Sequence, residues 1–184
     1  MRTLKHAILG LLNQSDMTGY ELTKQFETTL SEFWYTTHSH IYPELKKLTE
    51  EGCVEFHVEI SGTSLEKKVY AITQKGRDEF IQWLNTQSQM KHTPKDESRL
   101  KIFFSQSLPE NKQIEMLEDQ LDQHTKRLEH LKNNQKKFTQ VPNRHSHEFG
   151  DYMVLMGAIM REETTCEWLK KCLVLCNEKE TVQP

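Results

Sequence analysis

His38-Ser39-His40-Ile41-Tyr42-Pro43-Glu44-Leu45-Lys46-Lys47-Leu48-Thr49-Glu50-Glu51-Gly52 runs directly into Cys53-Val54-Glu55-Phe56-His57-Val58-Glu59-Ile60, and the change of period between the two stretches decides the fold. In the first, Ile41, Leu45 and Leu48 form one helical stripe, and Gly52 supplies a left-handed stop. Ser39 is the expected N-cap of a helix over about 40–51, because Pro43 then withdraws only the first intrahelical bond. In the second, Val54, Phe56, Val58 and Ile60 alternate with Glu55, His57 and Glu59, the period of a half-buried strand. Ser61-Gly62-Thr63-Ser64 reads as a turn, and Lys68, Tyr70 and Ile72 alternate again in a returning strand.

Working outward, Leu4, Ile8, Leu11 and Leu12 recur at helical spacing until the turn-formers Asn13-Gln14-Ser15-Asp16. Thr18 and Glu21 have the form of a capping box ahead of a helix that buries Leu22 and Phe26. After the hairpin, Thr73 can cap a fourth helix with Phe80, Trp83 and Leu84 on one face. Three helices, a two-stranded wing and a further helix make a winged helix-turn-helix over about residues 1–86, closed by the polar linker Asn85-Thr86-Gln87-Ser88-Gln89.

The rest, about 95–179, reads as a mainly α-helical dimerisation domain. A short helix over about 96–106 is expected to bury Leu100, Phe103 and Phe104. Ile114, Leu117, Leu121, His124, Leu128, Leu131, Gln135 and Phe138 then follow a 3-4 spacing, the seam of a helix lying along another helix. Residues 139–146 break the pattern, and Tyr152, Leu155, Ile159, Glu162, Cys166, Leu169, Leu173 and Cys176 form a second seam. Phe149, Met153, Met156 and Met160 make an apolar row beside it. Contact on two sides is therefore expected, and Leu155, Ile159, Cys166, Leu169 and Leu173 are the candidates for holding a homodimer.

Composition excludes several classes. Apolar runs such as Ala7–Leu12 and Met153–Met160 fall well short of the roughly 18 residues of a membrane span, and the first residues do not read as a signal peptide. The reading is a cytoplasmic protein. Cys53, Cys166, Cys172 and Cys176 show no CxxC spacing, and His57, His145 and His147 read as isolated surface histidines, so neither a metal site nor a cofactor is expected. No Ser-His-Asp set, phosphate loop or paired carboxylates on a pocket frame can be recognised, which excludes an enzyme. Net charge is −3, and the first 90 residues hold nine Lys/Arg against twelve Asp/Glu. DNA binding would then depend on a local basic patch.

The strings Ala7–Leu12, Gly19-Tyr20-Glu21-Leu22, Phe33-Trp34, His38-Ser39, Ile41-Tyr42-Pro43-Glu44-Leu45-Lys46-Lys47-Leu48 and Glu51-Gly52 resemble the PadR family of bacterial regulators. The likeness continues through Lys67-Lys68-Val69-Tyr70, Thr73 and Trp83-Leu84 to Phe149-Gly150, Tyr152, Val154-Leu155, Arg161-Glu162 and Trp168-Leu169. The resemblance implies an N-terminal winged helix, a helical dimerisation domain and repression of transcription. For the family's phenolic-acid branch it implies release of the operator by hydroxycinnamic acids such as p-coumaric or ferulic acid, which frees a decarboxylase gene. Alternatives are a family member answering a bulky drug, and a helical scaffold that binds no DNA.

For the operator, the candidates are Thr36, Thr37, His38, Ser39, His40, Tyr42 and Lys46 on and before the third helix, Tyr20 at the start of the second, and Lys67 and Lys68 on the wing. Hydroxyls and imidazoles at a helix N-terminus can bond phosphates or base edges, and lysines neutralise phosphates. For a small aromatic acid, Arg161 is the candidate cation, with Tyr152, Phe149 and Met156 around the ring and His38 a weaker participant. An Arg161 ion pair with Glu162 or Glu163 is the competing structural role.

Overall fold

The computed structural model describes all residues except 1, 32, 35, 62–64, 90–94 and 178–184. Two compact units divide the chain, Met1–Met90 and Lys91–Pro184.

In the first unit, α1 (Thr3–Leu12), α2 (Gly19–Thr28) and α3 (His38–Glu50) precede a hairpin of β2 (Val54–Ser61) and β3 (Leu65–Ile72), and α4 (Gln74–Leu84) follows it. The wing gains a member that no periodicity announces: β1, only Met17–Thr18, pairs antiparallel with β3 and makes a three-stranded sheet in the order β1-β3-β2. Register runs from Val54 opposite Ile72 to Ser61 opposite Leu65. The Gly62 turn expected between these strands lies outside the described residues.

Ile8, Leu12, Leu22, Phe26, Ile41, Leu45, Leu48 and Val54 are buried together. Each such side chain contributes about 1.5–3 kcal/mol. Thr18 and Glu21 form the expected capping box on α2, with the Glu21 amide donating to Thr18 Oγ1 at 3.2 Å and the Thr18 amide to the Glu21 carboxylate at 2.8 Å. At the end of α3 the Gly52 amide donates to Thr49 O at 3.0 Å and the Cys53 amide to Leu48 O at 2.9 Å, the two bonds of a Schellman motif. Gly52 has the positive φ of 69° that the motif requires.

Three expectations need correction. The helix carrying Pro43 starts at His38 with Thr37, not Ser39, as its extended N-cap residue. Thr37 Oγ1 instead lies 2.8 Å from Ser39 Oγ and 3.1 Å from His40 Nδ1. These side-chain bonds bind the first turn together ahead of the proline. The apolar face of β2 is buried only at its base, since Val58 is 49% and Ile60 76% exposed. Leu84 is exposed as well, because α4 turns Phe80 and Trp83 to α1. There the Trp83 ring stacks on His6 at 4.8 Å, and a Cβ on Gly10 would come within 3.1 Å of Phe80.

Ion pairs knit the helices from outside. Lys5 Nζ meets Glu51 at 2.8 Å and Glu79 at 2.5 Å, and Arg2 meets Glu44 at 2.6 Å and also pairs with Glu51. Although burial works against its charge, bonds to the two glutamates push Lys5 up to about 12. Bonds from Lys5 and Arg2 hold Glu51 down at about 2.

The second unit holds α5 (Glu97–Phe103), a 3-10 turn (Ser105–Ser107) and the long pair α6 (Glu110–Gln135) and α7 (His147–Asn177). Lys137, just past the end of α6, pairs with Asp151 near the start of α7, whereas Lys132 and Arg127, further back along α6, pair with Glu163 and Glu162 further along α7. The two helices are therefore antiparallel. The polar positions of the two seams satisfy each other, since His124 Nδ1 lies 2.5 Å from the Glu162 carboxylate.

This pairing corrects the expected dimer seam. Leu155, Ile159, Cys166 and Leu169 are buried within one chain, Leu155 and Ile159 in a cluster with Leu131, Ala158, Leu128 and Phe138, and Leu173 is half-buried. The outward row is Met153, Met156 and Met160, followed by Val174 and Leu175. The short helix α5 likewise leaves Leu100, Phe103 and Phe104 exposed in the single chain rather than buried, because its seven residues present more apolar surface than the adjoining α6 and 3-10 turn cover.

Candidate nucleic-acid interface

The first turn of α3 presents an open polar surface. His38, Ser39 and His40 are exposed, Thr36 and Thr37 half-buried beside them, and Lys46 stands 78% exposed with only a 3.9 Å approach to Glu50. Ile41, Leu45 and Leu48 anchor the opposite face, so burial fixes which side chains turn outward.

Tyr42 connects this turn to α2. Its ring packs on His38 at 4.5 Å, and its Cζ and Oη lie 2.7 and 2.8 Å from where a Cβ on Gly19 would be. Glycine at position 19 is what lets the Tyr42 phenol lie against the start of α2. The next residue, Tyr20, is 73% exposed. Two phenols and a cluster of hydroxyls and imidazoles thus stand near two helix N-termini, whose free amides and positive dipole ends suit phosphates.

The wing lysines divide. Lys67 is opposite Glu59 and Lys68 opposite Val58, so consecutive strand positions send them to different faces of the hairpin. Lys68 Nζ lies 4.3 Å from the centre of the Phe56 ring, while Lys67 is close enough to Glu21 to help keep its carboxyl below the usual range, behind the bonds from Thr18. Meanwhile Glu44, Glu51 and Glu79 are paired with Arg2 and Lys5, which offset two of their three negative charges. The net −3 of this region is therefore not spread evenly over its surface, which is how an acidic unit can keep a patch fit for DNA.

The effector candidates do not assemble around Arg161. Tyr152 is half-buried and meets Phe138 edge-on at 5.5 Å, beside an open cleft with Lys132 and Lys136. Phe149 and Met156 lie on roughly the same side of α7, but five residues at about 100° each put Arg161 about 140° away from Met156. Arg161 is exposed and folds back over Gly157, and the expected acids are engaged elsewhere, Glu162 with His124 and Arg127 and Glu163 with Lys132. His38 is occupied with Tyr42 in the first unit. Sequence reasoning did not single out Arg99, whose guanidinium lies 5.6 Å from the Trp168 ring and whose backbone N–H donates to the Asp96 side chain that caps α5.

Among the described residues, no cluster of three or more His, Cys, Asp or Glu could hold a metal, and no helix is long and apolar enough to cross a membrane.

Residues 8–82 match the model of the transcriptional regulator PadR-like family, and residues 94–177 match that of the virulence activator alpha C-terminal region. The chain is 39% identical to the negative transcriptional regulator PadR of Bacillus subtilis over 181 residues, 97% of this chain and 100% of that protein. The crystal structure of Bacillus subtilis PadR in complex with operator DNA is similar at a TM-score of 0.89 and 40% identity, covering 96% of this chain and 100% of that one. The same protein in complex with p-coumaric acid is similar at 0.86 and 37% identity, with the same coverage. With its matched winged helix, its matched C-terminal helices and a full-length relative at this identity, the chain belongs to the PadR family of transcriptional regulators, which are not enzymes.

Proposed function

We propose that this chain is a cytoplasmic, homodimeric repressor that binds operator DNA through its winged unit and lets go when a phenolic acid such as p-coumaric or ferulic acid binds. A phenolic acid decarboxylase gene is the proposed target. The observation that carries the reading is the exposed first turn of α3, with Tyr42 and Tyr20 held beside it at Gly19. The likeness to Bacillus subtilis structures in complex with operator DNA and with p-coumaric acid supports both halves.

In this reading the N-terminal turn of α3 enters the major groove. Ser39, His40 and Tyr42 contact phosphates or base edges, with Thr36, Thr37 and His38 at the entrance and Lys46 one turn along. Tyr20 bonds a phosphate from the start of α2, and Lys67 and Lys68 reach the backbone from the wing. Two copies place two such turns about 34 Å apart, one helical turn of DNA. Met153, Met156 and Met160, with Val174 and Leu175 further along α7, form the apolar row a second copy would cover, and covering it removes exposed apolar surface from water.

The test is fluorescence anisotropy with labelled DNA from upstream of the decarboxylase gene, measured over a salt series. Binding that weakens with salt and exceeds binding to scrambled DNA is expected. Equal affinity for both sequences at every salt concentration would refute operator recognition.

A further inference from the structure

Thr18, Thr37 and Thr73 stand at helix N-caps in the first unit, and two of them make the bond that the position favours. Thr18 Oγ1 accepts from the Glu21 amide at 3.2 Å, and Thr73 Oγ1 from the Gly76 amide at 3.1 Å. Thr37, extended at φ −110° and ψ 155°, makes no such bond. Its hydroxyl instead meets two side chains on the first turn of α3, Ser39 Oγ at 2.8 Å and His40 Nδ1 at 3.1 Å. We infer that Thr37 is a positioning residue for operator reading: it holds His40 as the tautomer protonated on Nε2, and so makes the imidazole a hydrogen-bond donor to a purine N7. The inference deepens the operator-binding reading above and rests on it.

The argument is one of proton counting. A neutral imidazole carries one N–H, and the bond made by one ring nitrogen fixes the role of the other. Thr37 Oγ1 has one proton and two neighbours that can take it. If Ser39 takes it, His40 Nδ1–H donates to Thr37 and the Nε2 lone pair is turned outward. If His40 takes it, Ser39 donates in turn to Thr37, and Nε2–H is turned outward. Two effects favour the second arrangement. An imidazole in water already leans to the Nε2–H form, and a duplex presents phosphate oxygens and purine N7 atoms, all of them acceptors.

The same contacts aim the ring. The His40 amide donates to the Thr37 carbonyl at 2.9 Å, so His40 is tied to Thr37 through both its backbone and its Nδ1. Nε2, on the far side of the ring from that bond, faces away from Thr37, and the residue is exposed. An imidazole ordered in this way before DNA arrives has less freedom to lose on binding. Ser39, its proton given to Thr37, is left with an oxygen that accepts.

Long-range 1H–15N spectra of the full chain labelled with 15N-histidine, at pH 8 and without DNA, read the tautomer directly, with His40→Gln assigning the signals. The parent should show His40 unprotonated at Nδ1 and protonated at Nε2. Thr37→Val should fall to the mixture of a free histidine peptide, and Thr37→Ser should restore the parent pattern. A second readout is anisotropy with the upstream DNA used above, its purines replaced one at a time by their 7-deaza analogues, which lack N7. At one purine or more the replacement should weaken the parent roughly 2- to 12-fold, the loss of one hydrogen bond. Thr37→Val should not show that penalty, and Thr37→Ser should keep it. If the parent prefers this DNA to scrambled DNA but Thr37→Val leaves either the His40 signals or the 7-deaza penalties as in the parent, Thr37 does not set the tautomer and the operator reading stands. If the parent shows no preference for this DNA, both fall together.

Discussion

Replacing Gly19 by alanine should damage DNA binding out of proportion to its effect on the fold. The added Cβ would stand 2.7 Å from Tyr42 Cζ and 2.8 Å from its Oη, against the 3.4 Å at which ordinary contact begins. Tyr42 must therefore move its phenol by about 0.7 Å. It can do so cheaply, because the ring is 40% exposed and its tip is the flexible end of a side chain. The helix itself loses nothing, since alanine is a better helix former than glycine by up to about 1 kcal/mol. A phenol–phosphate hydrogen bond of about 2.8 Å, lengthened by that amount, becomes about 3.5 Å and is no longer a bond. Losing one such bond to a charged group costs about 1.5–3 kcal/mol, or roughly 10- to 150-fold in affinity per half-site. Thermal unfolding should change by no more than a few degrees, while operator affinity in a gel-shift titration falls by at least tenfold. In a Tyr42→Ala background the Gly19→Ala change should add nothing, because the group it displaces is already gone. If Gly19→Ala lowers affinity equally with and without Tyr42, the phenol is not the route and the reasoning fails.

Charge on the inner seam of α7 should break the fold, whereas charge on the outer row should break the dimer. Leu155→Asp buries an unpaired carboxylate against Leu131 and should cost several kcal/mol, read as a drop in helical circular dichroism. Met156→Asp together with Met160→Asp should stay helical and halve the mass seen by light scattering, and an unchanged dimer would disprove that interface. Lys46→Ala or Lys67→Ala should lower the salt slope of operator binding by about 0.9 for each phosphate no longer neutralised, doubled in a dimer, and unchanged slopes in both variants would remove the lysines from the interface. Acid should loosen the first unit through Glu51. Its carboxyl is held at about 2, below the ordinary 4.5, so the stability it confers is complete above 4.5 and drains away as pH falls toward 2. Glu51→Gln should flatten that part of the urea-midpoint profile, and a profile identical to the parent's would show the ion pair to be inert.

Periodicity identifies where the chain is helical or extended, and it does so well in the long segments. Both 3-4 seams of α6 and α7 are lined by half-buried or buried residues, and even their polar interruptions, His124 and Glu162, are partners. A stripe states that a surface must be covered without saying by what. Its spacing alone therefore gives Leu155 and Ile159 to a second copy, when α6 of the same chain already buries them, and has Leu100, Phe103 and Phe104 buried where one chain leaves them open. β1 escapes because two residues carry no period. The cap of α3 shifts from Ser39 to Thr37 because side-chain bonding within the first turn tolerates a proline further in than a simple count of missing backbone bonds allows. The recognition turn is legible because its residues are contiguous. Arg99 and Trp168 are 69 positions apart and meet only after α5 and α7 have packed, a juxtaposition no local pattern encodes.

The most direct test of a ligand-released repressor is the operator affinity of the dimer with and without saturating p-coumaric acid, at one fixed salt concentration. Coupling between two sites of this kind is typically worth about 1–3 kcal/mol. The account predicts a roughly 5- to 150-fold weaker complex in the presence of the acid. Equal affinity with and without it, from a protein that binds the acid by calorimetry, would contradict it.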